Sequence, residues 1–458
     1  MYQLLIKNAR CVNPDREFEA DVAVADGVIA KIAPAIDADA SRVLDADGRL
    51  LLPGVIDTHV HLPWPSASFD SVDDFASGTS AAVFGGVTTL IEYIVPDESG
   101  RIIPWLDAEL AKAASSARCD YSFHLILRKV TDETLADMEQ AVARGVTTFK
   151  IYTAYDGFRL EDEPILRALQ KAKQLGAMTC FHAEDGLLIN FSVAELEKAG
   201  QTGIRYYPIA HPRMADISAT RRVLDLAEYL GARVHIVHVN TADGAAMIGA
   251  ARRAGQPVTG ETCPQYLGFT EAVYKSGKPE AANYILAPVI REQADQDALW
   301  RALAADDLQT IATDHCPYTT AQKRAAGDDF RGVPGGAGGI ETSLPFVFTH
   351  GVKAGKLSLT RMVALMSTNP ARLFNLYPQK GVLAEGSDAD FALYDPAGEY
   401  TFDAAKLHGA GDHTILQGLP VSGGVAATIL RGTVVVENGT LAAQTPGGRF
   451  LPRKGYEA

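Results

Sequence analysis

The chain has 458 residues, 47% of them hydrophobic, which is enough for one large domain with attachments or for two to three domains. Asp and Glu number 56 against 42 Lys and Arg, a net charge of −14 that argues against nucleic acid or an anionic membrane as a partner. Five scattered cysteines (Cys11, Cys119, Cys180, Cys263, Cys316) without CxxC spacing fit a reduced, cytoplasmic protein better than a disulfide framework. The opening MYQLLIKNARC turns polar too soon for a signal peptide, and no apolar run is long enough to predict a membrane span.

Residues 1–52 predict short strands with tight turns; in VAVADGVIAKI two apolar runs flank Asp26-Gly27, a hairpin signal. From residue 53 the pattern becomes strand–helix alternation, with helical segments such as TDETLADMEQAVARG and DEPILRALQKAKQLG each closed by glycine. Eight strands begin near Val55, Val87, Tyr121, Val146, Met178, Arg233, Val258 and Thr310. Eight βα units over 53–375 predict a (β/α)8 TIM barrel, with a doubly wound open sheet as the alternative from pattern alone. Residues 376–458 return to strand-like text, and their character matches that of 1–52, so the two ends are expected to form one small β-sandwich. LHGAGDHTILQG and GGRFLPRKGYEA suit an extended arm.

Polar residues recur at the C-terminal ends of the barrel strands, the face that holds the active site of such a barrel. PGVIDTHVHL ends the first with His59 and His61; the fourth carries Lys150, the fifth His182, the sixth His238 and the eighth Asp314. Singly, each histidine has a plain reading as a hydrogen-bonded structural residue, and HxH alone is a weak motif. His235 falls off the face shared by Val234, Ile236 and His238 and reads as outward and structural. His124, His211, His350, His408 and His413 receive the same structural reading. Six metal-competent groups at one barrel mouth are another matter. Four neutral imidazoles and a carboxylate match zinc first, with manganese, cobalt, iron or nickel as substitutes.

Lys150 interrupts the strand TTFKIYTAYDG. Alternation puts Val146, Thr148, Lys150 and Tyr152 on one face, so the amine points at the same mouth. Burial and nearby cations lower a lysine's pKa and favour the neutral amine. A neutral amine reacts with carbon dioxide to form a carbamate, an anion with two oxygen ligands, and a carbamylated lysine bridging two metals relieves the charge that an ammonium would add.

Together these residues resemble the amidohydrolase superfamily, in its cyclic amidase branch. The motifs PGVIDTHVHL, FKIYTAY, CFHAEDG, IVHVNTADG, GETCPQYL and ATDHCPY match in order. DDFASGTSAAVFGGVTTLIEY, DYSFH and Tyr155, five residues after the lysine, resemble the dihydropyrimidinase/hydantoinase group. The resemblance implies a binuclear zinc centre and ring-opening hydrolysis of hydantoin- or dihydropyrimidine-type cyclic amides and imides by a bridging hydroxide. It implies His59, His61 and Asp314 at the more buried metal, His182 and His238 at the more exposed one, and carbamylated Lys150 (N6-carboxylysine) between them. Asp314 is expected to move the proton from hydroxide to leaving nitrogen. Tyr155 is expected to donate to the oxyanion, His315 to lend outer support, and the chain to assemble as a homotetramer.

Two departures concern the substrate. Where the group usually reads SPP(L/I)R this chain has APVIR, with Ala287 at the serine position, and Gly335 stands at an expected asparagine in GVPGGAGGIETSLP. Family contacts at both places use backbone groups, so Ala287 and Gly335 stay candidate substrate-binding residues. GGIETSLP looks more like allantoinases and dihydroorotases, which makes an allantoinase-like or other cyclic ureide/imide hydrolase the alternative. Leu62, Pro63 and Trp64 follow HxH where dihydroorotases carry an arginine, which disfavours a carboxylated ring. Trp64, Phe69, Tyr152 and Phe158 border the expected pocket and suit an apolar ring substituent. A non-catalytic scaffold relative would be expected to lose ligands, and this chain keeps all six.

Overall fold

The computed structural model describes residues 1–65, 69–443 and 447–456. The N-terminal segment forms β1 (Leu4–Val12), β2 (Glu17–Ala25), β3 (Val28–Ala33), β4 (Val43–Asp45) and β5 (Leu50–Pro53). Asp26 and Gly27 both take positive φ, 52° and 79°, and turn β2 into β3 as the sequence predicts. Eight parallel strands follow, each paired with the next: β6 (Val55–Val60), β7 (Val87–Ile94), β8 (Asp120–Ile126), β9 (Thr148–Tyr152), β10 (Met178–His182), β11 (Val234–Ile236), β12 (Val258–Thr262) and β13 (Thr310–Ile311). They form the barrel, with helices in the crossovers.

The fourth strand begins two residues later than predicted. Val146 donates its N–H to Ala141 O at 2.9 Å and so still belongs to the preceding helix end. Between β13 and β6 the barrel closes on single contacts: Val60 bridges His315, and His61 N–H meets His315 O at 2.9 Å. Asp57 reinforces this seam by accepting from Thr313 N–H at 3.1 Å and Thr313 Oγ1–H at 2.6 Å. Alternation within β9 holds as read: Phe149 and Ile151 join the apolar layer under the helices, while Tyr152 packs inside the barrel with Ile91, Tyr93, Ile126 and Cys180.

The remaining strands, β14 (Phe391–Thr401), β15 (Pro420–Leu430), β16 (Thr433–Glu437) and β17 (Thr440–Leu441), join the N-terminal ones in one nine-stranded mixed sheet. Its order is β17-β16-β15-β14-β5-β1-β2-β3, with β4 beside β1. Residues from both chain ends, among them Leu4, Ile6, Val22, Phe391 and Ile429, share one apolar cluster, which is the expected union of the termini. Barrel and sheet are joined by a buried ion cluster. Lys380 Nζ lies 2.6 Å from Asp120, 2.8 Å from Asp388 and 2.5 Å from Asp390, and Arg431 pairs with the other oxygen of Asp120.

The last described residues, 447–456, are extended and pack under their own barrel. Leu451 N–H bonds Tyr121 O at 2.7 Å, Arg453 N–H bonds Gly145 O at 2.8 Å, and Tyr456 N–H bonds Gly176 O at 2.7 Å. These acceptors lie at the N-terminal ends of three strands, so the tail floors the barrel. Arg453 reaches inside and donates to Phe123 O and to Thr148 Oγ1, the latter at 2.9 Å. No helix among the described residues is long and apolar enough to cross a membrane.

Candidate metal centre and substrate cleft

At the opposite end of the barrel, His59, His61 and Asp314 offer nitrogen and oxygen atoms that all lie within 4.8 Å of one another. Asp314 Oδ1 sits 3.1 Å from Nε2 of each imidazole. Burial would raise the Asp314 carboxyl, but the two histidines outweigh it and hold it well below the usual carboxylate range. A second pair faces across the mouth, with His182 Nδ1 and His238 Nε2 2.9 Å apart. The two groups adjoin, since the His59 and His238 rings are 5.4 Å apart. Burial, aided by Lys150, lowers His61 to about 4 and pushes His238 well down, so both are neutral imidazoles at physiological pH.

Lys150 is fully buried, and its Nζ has no hydrogen-bond partner among the described residues. It lies 4.7 Å from the Tyr93 ring and 5.1 Å from the Tyr152 ring. Burial brings its ammonium down to about 8. Unpaired, such a charge is costly. The residues therefore fit divalent metal on three observations: an orphaned buried amine, two imidazole nitrogens facing each other, and a carboxylate between two more.

Two buried glutamates orient these imidazoles. Glu261 accepts from His59 Nδ1 at 2.7 Å and from Thr58 Oγ1 at 3.0 Å, which leaves His59 Nε2 for the mouth. Glu184 meets His182 Nε2 at 2.7 Å, which leaves Nδ1 for the mouth. It also binds His211 Nδ1 at 3.1 Å and the Tyr155 hydroxyl at 3.0 Å. Tyr155, His238 and Asp314 have φ of 68°, 40° and 53°, a strained region for such residues, clustered here at one site.

A cavity of about 390 Å³ opens over this cluster. Its wall includes His59, His61, Tyr155, His182, His238, Ala287, Asp314 and Gly335, whereas Lys150 lies behind it. Trp64 and Phe158 stack at 5.4 Å and make one side apolar, together with Tyr152 at the end of β9. Burial keeps the Tyr155 phenol protonated far above its ordinary pKa, hence a donor.

The profile of the Amidohydrolase family matches residues 50–435. The chain is 35% identical to a D-hydantoinase of Geobacillus stearothermophilus over 99% of its own length and 97% of that protein. It is also 35% identical to a dihydropyrimidinase of Rattus norvegicus, covering 99% of this chain and 89% of that one. The solved dihydropyrimidinase of Brevibacillus agri NCHU1002 superposes with a TM-score of 0.97 at 34% identity, over the whole of both chains. This chain belongs to the amidohydrolase family.

Several placements in this amidohydrolase differ from the sequence reading. His235 faces the barrel interior, with Nδ1 2.8 Å from Thr259 Oγ1 and its ring beside Phe374, while Val234 and Ile236 face the helices. The strand β11 is only three residues long, and the positive φ of His238 breaks the alternation that would relate 236 to 238. His211 is not an isolated structural histidine, because it shares Glu184 with His182 and Tyr155. His315 turns from the cavity: Nε2 faces Asp73 at 2.9 Å and Nδ1 accepts from Gly339 N–H at 3.0 Å, so it supports the glycine-rich loop. Glu184 and Glu261 stood inside HAEDG and GETC, and a carboxylate in a ligand-bearing motif was the available signal.

Proposed function

We propose that this chain is a metal-dependent cyclic amidohydrolase that opens hydantoin- or dihydropyrimidine-type rings, with residues 53–375 as its catalytic barrel. One observation carries the reading: four imidazoles and a carboxylate converge on an unpartnered buried amine beneath a cavity walled by a phenol and apolar rings. His59, His61 and Asp314 would hold one ion, His182 and His238 another, and Lys150, as its carbamate, would serve both. Carbamate formation joins the amine nitrogen to the carbon of CO2 and releases one proton. Zinc suits this donor set, with manganese, cobalt, iron or nickel as substitutes. Such ions supply a water acidified toward neutral pH and polarise the ring carbonyl.

The protein's own groups do the rest. Asp314 has Oδ1 between two imidazoles, which leaves Oδ2 to take a proton from the attacking water and pass it to the departing ring nitrogen. Tyr155 exchanges Glu184 for the oxygen of the opening carbonyl and stabilises its growing charge. Ala287 and Gly335 address the ring through their backbone. Trp64 and Phe158 take an apolar substituent and keep water from that side. The closest competitor in chemistry, allantoin hydrolysis, uses the same centre.

The test is a panel of hydantoin, 5-substituted hydantoins, dihydrouracil and allantoin on metal-replete protein. Ring opening of hydantoins or dihydrouracil is expected. Preference for allantoin would transfer the assignment to the ureide, and no turnover on any ring would leave a scaffold relative. We also propose a homotetramer in a reducing cytoplasm. Five unpaired buried cysteines support the compartment. Self-association is supported by Leu187, Phe191, Ile209 and Met214, which expose apolar side chains on the neighbouring helices Gly186–Lys198, Tyr207–Ala210 and Arg213–Leu230.

A further inference from the structure

A second fully buried lysine stands outside the ligand set. Lys323, in the short helix Thr320–Arg324, donates from Nζ to Ile285 O at 2.9 Å and to Pro334 O at 2.8 Å, and lies 5.6 Å from the Tyr318 ring. The two carbonyls belong to different segments, one following β12 and the other following β13. Ile285 O also accepts from Gly336 N–H at 3.1 Å, so amine and amide tie the segments at one point. Gly336 has φ +143°, and a Cβ there would lie 2.5 Å from Cys316 O, which presses this knot against the stretch that carries Asp314.

Each segment continues directly into the cavity wall, through Leu286 and Ala287 on one side and Gly335 and Gly336 on the other. Neighbouring carbonyls are occupied: Leu286 O accepts from Tyr207 and Pro288 O from Tyr266. Among the described residues, the backbone N–H and C=O of Ala287 and Gly335 have no partner. A Cβ on Gly335 would stand 4.0 Å from Ala287, so these two unsatisfied edges are adjacent. Free amides at a cavity wall match a ring whose own edge alternates C=O and N–H. Their spacing is set where the segments are tied.

We propose that Lys323 is a positioning residue that fixes the spacing of the Ala287 and Gly335 backbone edges for the amide edge of the substrate ring. The inference rests on the cyclic-amide reading and extends it from the metal end to ring recognition. A lysine stem buried with its amine on two carbonyls is a costly way to hold a loop, and two hydrogen bonds to distinct segments are what that cost secures.

The experiment compares metal-loaded wild type, Lys323→Met and Lys323→Arg on hydantoin and on its N3-methyl derivative, which lacks the ring N–H between the carbonyls. Lys323→Met is expected to keep its metal content, raise KM for hydantoin about tenfold with kcat within about threefold, and lose most of the discrimination against the methylated ring. Lys323→Arg, which still donates, is expected to recover part of that discrimination. Unchanged KM and discrimination in Lys323→Met, or a fall in kcat alone, would overturn the clamp. A wild type inactive on every ring would instead overturn the underlying reading and the clamp with it. Should Lys323→Met not fold, Gly336→Ala disturbs the same knot from its other donor; it must raise KM and lower discrimination in the same way, and an unaltered KM there refutes the proposal.

Discussion

Lys150 and Glu184 show how single side chains decide what the mouth of the barrel can hold. With its amine brought to about 8 by burial, Lys150 presents some of the neutral form near neutral pH, the form whose lone pair attacks the carbon of carbon dioxide. Replacing it with alanine is expected to remove metal, as read by elemental analysis, and to abolish turnover. Added acetate or propionate should restore part of both; full metal occupancy without such an acid would refute the carbamate. Glu184 holds His182, His211 and Tyr155 at once. For Glu184→Gln, metal affinity at the His182–His238 pair is expected to fall roughly 10- to 100-fold, measured by competition with a chelating dye; an unchanged affinity would show the glutamate to be packing alone. The side chains that gather at the mouth were legible because each stands at or near a strand end, where chain order and the barrel's polarity place it. His211 and Lys323 were not legible, since their partners come from other elements and no local spacing announces a contact across loops.

At the scale of elements, the limits of pattern reading coincide with short strands. β9 runs five residues with regular alternation, and its inward and outward residues could be assigned from sequence. β11 runs three and β13 two, and there the backbone turns within a residue or two of the functional side chain. The barrel seam was equally hidden, because it depends on Asp57 reaching Thr313 and on a single bridge at Val60. The short helix bearing Lys323 gives a measurable pH signature. Burial lowers this amine to about 7, whereas in the unfolded chain it titrates near 10.5. Between those values the unfolded state binds the extra proton, so the residue's contribution to stability rises with pH, by at most about 1.4 kcal/mol per pH unit. Urea unfolding of metal-free wild type and Lys323→Met is expected to give a stability difference that shifts in favour of wild type from pH 7 to 10. A difference flat across that range would mean the amine is not buried as described.

For the molecule as a whole, the two chain ends make one sheet, and a buried ion cluster helps fasten that sheet to the barrel. Lys380 bridges three aspartates that would otherwise repel one another, and Arg431 offsets a further charge at Asp120. Removing one partner of a buried ion group commonly costs about 3–5 kcal/mol, and Lys380→Met is expected to lose that much in chemical denaturation; a loss under about 1 kcal/mol would place the cluster in water rather than in the core. The floor of the barrel has a temporal consequence. The carbonyls of Tyr121, Gly145 and Gly176 accept backbone N–H groups from residues 451–456, and β5 meets β14 only after the whole barrel has been synthesised. A ribosome that has translated all eight barrel strands therefore carries a chain open at its base, with the interior around Phe123 and Thr148 uncovered.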